Sequence, residues 1–330
     1  MTAAAETSVL SVRDLRVDVA VPMGTLHAVR GIDLDLARGE TLCLVGESGC
    51  GKSLTALALM DLLPSKARRQ AARLDFVGED LTRASRRRMA DLRGAGVAMI
   101  FQEPMTSLNP VLTIGAQLAA PYIRHGKGGR AAARDRALEL LERVGVPGAA
   151  TRLKQYPHEL SGGLRQRVMI AMTLMCQPAL IIADEPTTAL DVTIQAQLLK
   201  LLADLRRDFD LALLLITHDL GLVARFADRV AVMYAGEIVE QAATADLFTK
   251  PAHPYTRALL ECLPTGDADG ALGTIPGVVP SLLSEPSGCA FRERCRHAVD
   301  GCGRAAIPLT GVANGGDVAH LNRCLLDLSP

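Results

Sequence analysis

The chain has 330 residues, enough for one large domain with an appendage or for two domains with a substantial core. Its 36 Lys and Arg residues balance 36 Asp and Glu residues, so the net charge is +0 and no basic field favours nucleic acid as a partner. The start of the sequence, Met-Thr-Ala-Ala-Ala-Glu, has neither a basic segment nor an apolar core, which predicts a cytoplasmic protein without a secretory signal.

Hydrophobic residues make up 49% of the chain, yet no stretch of it suits a membrane span. The longest apolar stretch, Val168 to Ala183, is interrupted by Thr173, Gln177 and Pro178 and is too short to cross a bilayer. Association with a membrane is therefore expected to depend on a partner.

The first elements along the chain are predicted to be strands. Leu15–Val19 and Ile32–Leu36 alternate apolar and charged residues, which predicts an antiparallel β layer. Thr41–Val45 is continuously apolar or small and predicts a buried parallel strand. A helix is predicted from Leu54 to Leu63, where Pro64 ends it.

A complete phosphate-binding pattern, G-x-x-x-x-G-K-[ST], stands between this strand and this helix. Its members, with the first residue after it, are Gly46, Glu47, Ser48, Gly49, Cys50, Gly51, Lys52, Ser53 and Leu54. The glycines let backbone N–H groups face a phosphate, and the helix N-terminus adds positive potential there. Lys52 is expected to reach the β- and γ-phosphates of a bound triphosphate, and the Ser53 hydroxyl to bind Mg²⁺. The alternative, a glycine turn with an unrelated lysine, is disfavoured by the complete pattern in its strand–loop–helix context.

The next elements are predicted to be a strand at Leu74–Glu79, an arginine-rich helix at Arg83–Arg93 and a buried strand at Val97–Phe101 that ends at Gln102. The arginines favour a solvated face over a functional patch. From Pro104 to Gln177 the pattern becomes mainly helical, which predicts a helical insertion in an α/β sheet.

Two further buried strands end in polar residues. Ala179–Ala183 is followed by Asp184 and Glu185. Asp184 is expected to hold the Mg²⁺ shell and Glu185 to orient or deprotonate the attacking water, although helix capping is an alternative role for both. Leu211–Ile216 precedes His218, a candidate sensor of the γ-phosphate, although a lone histidine at a strand end is more often structural.

The segment Leu160–Arg167, Leu-Ser-Gly-Gly-Leu-Arg-Gln-Arg, resembles the signature of the ATP-binding cassette family. The resemblance implies an α/β P-loop NTPase cassette with a mixed central sheet, an N-terminal antiparallel β layer, a helical insertion and a small cysteine-rich C-terminal domain. The family roles it implies are those of Gln102 (Q-loop, at Mg²⁺ and the catalytic site), Asp184 and Glu185 (Walker B), Ala189-Leu190-Asp191 (D-loop) and His218 (switch histidine).

The signature residues Ser161, Gly162 and Gly163 are expected to open a helix and to donate hydrogen bonds to a γ-phosphate. In the family that phosphate is bound by the opposite subunit, so the resemblance implies ATP sandwiched between two cassettes. One departure from the family concerns adenine. Cassettes usually stack the base on an aromatic residue, whereas this chain has Val19 near the expected position, which leaves the adenine contacts open.

Two longer segments narrow the resemblance to the ATPases of oligopeptide, dipeptide and nickel importers, namely Phe101–Pro110 and the tail from Pro254 through Cys324. The signature, with Leu164 at its fifth position, is similar to that of the D-type subunit of that group. The resemblance then implies a heterodimer with an F-type ATP-binding subunit, two transmembrane permease subunits and an extracytoplasmic substrate-binding protein. The chain would lie peripherally on the cytoplasmic face of the membrane, with the segment after Gln102 facing the permease.

The composition changes after Glu261 toward Pro, Gly and loop residues. We therefore predict a cassette over 1–263, with the helical subdomain at about 104–177, and a C-terminal domain over 264–330.

Four of the eight cysteines, Cys289, Cys295, Cys302 and Cys324, are close together in the tail, which favours a metal site. The gaps between them are wider than in most zinc sites, and the resemblance implies a [4Fe-4S] cluster, with zinc or unmetallated thiols as alternatives. A short helix over 292–298 is expected to pack around the cluster.

Two other classes of function are disfavoured. A cassette protein acting on ribosomes or DNA would normally have two cassettes in one chain or a long coiled coil, and this sequence has neither. A non-hydrolysing regulator would not need Glu185 and His218. The resemblance therefore implies an ATPase that powers uptake of peptides or a related small solute.

Overall fold

The computed structural model describes residues 8–102, 107–187, 192–263, 273–312 and 320–326. In chain order its strands are β1 (Ser8–Val21), β2 (Gly24–Ala37), β3 (Thr41–Val45), β4 (Ala67–Gln70), β5 (Arg73–Phe76), β6 (Glu79–Asp80), β7 (Val97–Ile100), β8 (Leu180–Asp184), β9 (Ala212–Thr217), β10 (Arg229–Tyr234), β11 (Glu237–Ala243), β12 (Thr310–Gly311) and β13 (Leu321–Asn322). Its helices are α1 (Lys52–Leu59), α2 (Arg86–Leu92), α3 (Ile114–Arg124), α4 (Arg130–Arg143), α5 (Ala149–Arg152), α6 (Gly162–Leu174), α7 (Val192–Phe209), α8 (Leu220–Phe226), α9 (Thr244–Thr249) and α10 (Pro254–Glu261).

The chain divides into two compact units. The first contains the described parts of Met1–Leu36, Thr41–Thr82 and Ile216–Pro330. The second contains the described parts of Ala37–Glu40 and Arg83–Leu215. The phosphate-binding pattern belongs to the first unit and the signature segment to the second.

A five-stranded sheet, in which β1 and β2 have 14 residues each, forms one layer of the first unit. Its order is β2-β1-β5-β6, with β4 also paired to β1. β1 pairs antiparallel with β5, with Leu10 opposite Phe76. Along β1 the alternation buries Leu15 and Val17 and leaves the intervening Arg16 partly exposed, as expected for a strand with one face against the core.

The remaining strands of the first unit include β3, which carries the phosphate loop at its end. β3 pairs in parallel with β10, and β10 pairs antiparallel with β11. The short tail strand β13 then pairs antiparallel with β11, with Leu321 opposite Gln241, and β12 pairs with β13. The tail of the chain therefore extends the sheet that positions the phosphate loop.

The second unit is built on β7, β8 and the part of β9 up to Leu215. β7 and β8 are parallel, from Val97 opposite Leu180 to Ile100 opposite Ala183, and the residues of β8 are all buried. The helices between these two strands are α3 to α6, and α3, α4 and α6 pack on one another. In the part of the chain that the structure describes, no helix combines the length and the apolar character needed to cross a membrane.

Two elements of the first unit differ from the sequence prediction because single residues take left-handed backbone. The helix after the phosphate loop ends at Leu59 instead of Leu63, since Asp61 has φ +53° and a helix cannot continue through it. The predicted strand at 74–79 is interrupted by Val77, with φ +50°, and Gly78, so that it turns back on itself as β5 and β6.

A buried carboxylate connects β11 to the segment before α10. Glu240 is fully buried and accepts hydrogen bonds from the backbone N–H groups of Ala252, at 2.7 Å, and His253, at 2.8 Å. Its other neighbour is His320, whose Nε2 lies 2.7 Å from the carboxylate. His253 in turn caps α10, because its Nδ1 accepts a hydrogen bond from Tyr255 N at 3.0 Å.

This arrangement predicts a pH-dependent stability. Burial, opposed by the charge of Glu240, lowers the pKa of His253 to about 4 from the ordinary value of 6.5. The unfolded chain therefore binds the proton first, so this stabilisation is complete above pH 6.5 and is lost as the pH falls toward 4, by up to about 3 kcal/mol. His253→Asn keeps a capping acceptor without the titration, and its free energy of unfolding should fall less over that range. The free energy of unfolding is measured by chemical denaturation at a series of pH values. An equal fall with pH in both proteins would contradict this prediction.

Candidate nucleotide site

The phosphate loop follows β3 and requires glycine at two positions for both conformational and steric reasons. Gly46 has φ +156° and Gly51 has φ +108°, where other residues are strained. A Cβ at Gly46 would lie 2.1 Å from Met233 O, and one at Gly51 would lie 2.4 Å from Ala28 O. The loop can therefore pack against β10 and β2 only without side chains at these positions.

The ammonium group of Lys52 lies inside the loop. Its side chain is buried, and Nζ donates to Gly46 O at 2.8 Å and to Glu47 O at 3.0 Å. Since α1 begins at Lys52, the N-terminus of that helix also opens onto the loop. Cys50 is fully buried beside Lys52, and burial raises the pKa of its thiol despite that charge, so it serves as a small apolar filler.

The remaining loop residues differ in exposure. Ser48 and Gly49 are exposed, while Glu47, Ser53 and Leu54 are half-buried. The backbone of Glu47 closes the loop, because its carbonyl accepts from Cys50 N at 3.3 Å. The loop is thus ordered internally and presents its middle to solvent.

In the second unit, the structure brings the predicted glutamine and glutamate together. Gln102, after β7, donates from Nε2 to Glu185 Oε2 at 3.2 Å. Asp184 is the buried last residue of β8. Glu185 has φ +45°, an uncommon conformation for a glutamate that is typical of functional positions.

The signature segment opens helix α6. Ser161 is its N-cap residue and, like Gly162, is exposed, while Gly163 is half-buried. A Cβ at either glycine would meet nothing within 4 Å. Close contacts among the described residues therefore do not require glycine at these two positions.

Gln166 is a functional candidate that the sequence prediction did not assign. It is buried in α6, and its Nε2 donates to Pro186 O, directly after Glu185. The contact ties the signature helix to the loop that carries the predicted catalytic acid. Nothing in the local sequence indicates this pairing across 20 positions.

His218 follows β9 and is exposed. The next residue, Asp219, caps α8 by accepting from Leu222 N at 3.2 Å, so the histidine lies between a strand end and a fixed helix start. The D-loop residues Ala189-Leu190-Asp191 and positions 103–106 of the Q-loop segment lie outside the described residues.

Two residues of the first unit that sequence reasoning did not assign contact the phosphate loop. Tyr255 Oη accepts from Glu47 N at 2.9 Å, and Arg294 Nη1 donates to Glu47 Oε2 at 2.8 Å. They are 208 and 247 positions from Glu47, so no spacing rule could relate them.

The predicted [4Fe-4S] cluster is wrong. Cys289, Cys295, Cys302 and Cys324 line one cavity, but its volume of about 10 Å³ admits little more than one water molecule. Among the described residues, which include all four thiols, no group of three or more His, Cys, Asp or Glu side chains is placed to hold a metal ion.

The helix expected around that cluster is absent as well. Residues 292–298 form successive turns, in which Arg294 N donates to Phe291 O and Cys295 N donates to Arg292 O. These bonds span three residues and do not propagate into a helix. The aromatic ring of Phe291, buried against Tyr234 and Tyr255, anchors this segment instead.

Comparisons with known proteins agree with the phosphate loop and the signature segment described above. Residues 29–188 match the model of the ABC transporter family, and residues 239–302 match the model described as the oligopeptide/dipeptide transporter C-terminal region. A dimeric bacterial ABC transporter cassette, MJ0796, superimposes with a TM-score of 0.63 at 25% identity, over 71% of this chain and 98% of that one. The phosphate loop thus lies in a cassette fold.

Two curated relatives are much closer in sequence. The dipeptide transport ATP-binding protein DppD of Bacillus subtilis is 52% identical over 90% of this chain and 89% of its own length. The oligopeptide transport ATP-binding protein OppD of Salmonella typhimurium is 48% identical over 93% and 91%. The chain therefore belongs to the ABC transporter family, as an ATP-binding subunit of peptide importers that couples ATP hydrolysis to transport.

Proposed function

We propose that this subunit hydrolyses ATP with Glu185 as the group that orients or deprotonates the attacking water. The observation that carries the proposal is the hydrogen bond from Gln102 Nε2 to Glu185 Oε2, which holds the carboxylate in a defined direction at the end of a buried strand. His218 is the proposed sensor of the γ-phosphate. Phosphoryl transfer depends mainly on such positioning and on neutralisation of charge.

ATP and Mg²⁺ are the expected ligands of this family, and the residues suit both. The loop offers backbone N–H groups, the buried ammonium of Lys52 and the start of α1 to the phosphates. We assign Mg²⁺ to the oxygens of Ser53, Gln102 and Asp184, since hard cations prefer hydroxyl, amide and carboxylate oxygen ligands. Bound Mg²⁺ would neutralise the phosphate oxygens during transfer.

The proposed ATP site is composite. Gly162 and Gly163 have open space around their Cβ positions, so a ligand that approaches from outside the chain explains them better than internal packing does. Ser161, Gly162 and Gly163 would donate to the γ-phosphate of ATP held by the phosphate loop of another cassette. The dimeric form of the MJ0796 cassette supports this arrangement.

We further propose an F-type ATP-binding subunit as the other cassette, two permease subunits and an extracytoplasmic binding protein as partners, and a place on the cytoplasmic membrane face. The names of the relatives, which are dipeptide and oligopeptide transport proteins, support permease and binding-protein partners. Leu164 in the signature supports the D-type assignment.

The domain organisation stays a proposal with the boundaries predicted above. The cassette would occupy 1–263, with its helical subdomain at about 104–177, and the C-terminal domain 264–330. The separate match of residues 239–302 to the transporter C-terminal model supports a distinct tail region.

Isolated and assembled protein should therefore differ in activity. The purified chain alone is expected to hydrolyse ATP slowly, because its phosphate loop needs the signature of a second cassette. Addition of the F-type subunit with the permease should raise ATP turnover, measured as phosphate release at fixed chain concentration. Full transport-coupled activity with this chain as the only ATPase would contradict the heterodimer, whereas activity unchanged by any partner would contradict the composite site.

A further inference from the structure

Residues 273–302, here named the tail segment, supply the phosphate loop with a fixed cation, Arg294. Its guanidinium donates to Glu47 Oε2 at 2.8 Å, to Pro276 O at 2.9 Å and to Ile275 O at 3.1 Å. Only 6% of this side chain is exposed. An arginine held by three separate acceptors has little freedom to move, so the position of Glu47 depends on it.

Aromatic residues cluster beside Arg294, and one of them contacts the backbone of the same loop residue, Glu47. Tyr234 and Tyr255 lie with ring centroids 4.6 Å apart, and Phe291 lies 5.3 Å from each. Tyr255 Oη accepts from Glu47 N, while the Arg294 guanidinium lies 5.8 Å from the Tyr234 ring centroid. Backbone and side chain of Glu47 are therefore both anchored within the first unit, by residues far away in sequence.

The charges of Glu47 and Arg294 explain what their contact contributes to the phosphate loop. Glu47 is a carboxylate in a loop whose ligand is polyanionic, and without a counter-charge it would repel the phosphates. Burial by itself lowers the pKa of Arg294, but the hydrogen bonds and charges of Glu47 and Tyr234 outweigh burial and raise it, so the guanidinium stays charged. The pair is mostly shielded from water, with 25% of the Glu47 side chain exposed, so screening is weaker than on an open surface.

We propose that Arg294 is a positioning residue for nucleotide binding that acts through Glu47, so that the tail segment sets the ATP affinity of the cassette. The inference rests on the proposed role of Gly46–Ser53 as the ATP cradle. Arg294 would both cancel the carboxylate charge and fix the first turn of the loop, which aligns the N–H groups that face the phosphates. Displacement of the tail segment from the loop would then weaken ATP binding, although the tail segment itself does not contact the nucleotide.

The test is equilibrium binding of MgATP to the full chain, by competition with a fluorescent ATP analogue. Arg294→Ala should raise the Kd about tenfold, a typical coupling for contacting charged groups. Arg294→Lys keeps the charge and should bind more tightly than Arg294→Gln, which keeps a donor but not the charge. Arg296→Ala is the matched control, since Arg296 is two residues away, exposed and paired with Glu261, and its Kd should equal that of the wild type.

A double-mutant cycle separates positioning from general loss of structure. In the Glu47→Ala background, Arg294→Ala should change the Kd by less than twofold, because the interaction it removes is already gone. An equal loss in both backgrounds, or equal Kd values for the Lys and Gln variants, would overturn the proposal. Binding that survives Lys52→Ala would instead overturn the cradle assignment, so the two failures are distinguishable.

Discussion

Replacing Glu185 by Gln is expected to lower ATP turnover of the assembled transporter by on the order of 10²-fold or more. Glutamine is nearly isosteric and can still contact Gln102, but it cannot accept a proton from water. MgATP binding should persist, since no part of the phosphate loop changes. Phosphate release and nucleotide retention, measured on the same preparation, check both parts of this prediction.

Glu142→Gln provides the matched control for that experiment. Glu142 lies on α4 of the second unit and is exposed, so the same chemical change there should leave turnover unchanged. Near-normal turnover of the Glu185→Gln complex would show that another group activates the water. A loss of MgATP binding by that variant would show that Glu185 belongs to the binding machinery instead.

Lys52→Ala should act at the earlier step and raise the Kd for MgATP on the order of 10²-fold, because it deletes a charged donor to the phosphates. The ammonium is preorganised by Gly46 O and Glu47 O, so it is already directed into the loop. Calorimetric titration with MgATP measures the change directly. Lys66→Ala, an exposed lysine of the same unit outside the loop, should bind MgATP normally. Unaltered affinity in Lys52→Ala would contradict the phosphate-loop assignment.

The elements that hold the candidate site were predictable because burial and periodicity are local signals. The continuous apolar runs before Gly46 and Asp184 correspond to β3 and β8, and the strand before His218 corresponds to β9, each within one residue at its ends. Strands of a parallel sheet are buried on both faces and therefore have continuous apolar sequences, which makes such runs recognisable. The family and the peptide-transport function follow from motifs of equally local character, and the comparisons confirm them.

What the sequence did not predict depends on contacts between distant residues. Arg294 and Tyr255 lie 247 and 208 positions from Glu47, and no short pattern marks the three residues as partners. β4 also escaped prediction, since its sequence Ala-Arg-Arg-Gln has no apolar alternation and pairs only because β1 lies beside it. The iron–sulfur prediction failed for the opposite reason, as clustering of cysteines in sequence does not create a cavity that can hold a metal.

The central claim, that ATP hydrolysis by this chain drives peptide import, is tested most directly in proteoliposomes that contain the assembled transporter and its binding protein. Peptide uptake and phosphate release are measured together, with wild-type chain and with Glu185→Gln. We expect peptide-loaded binding protein to raise phosphate release by the wild type, and Glu185→Gln to abolish uptake and this increase together. Peptide uptake that continues at the wild-type rate with Glu185→Gln would contradict it.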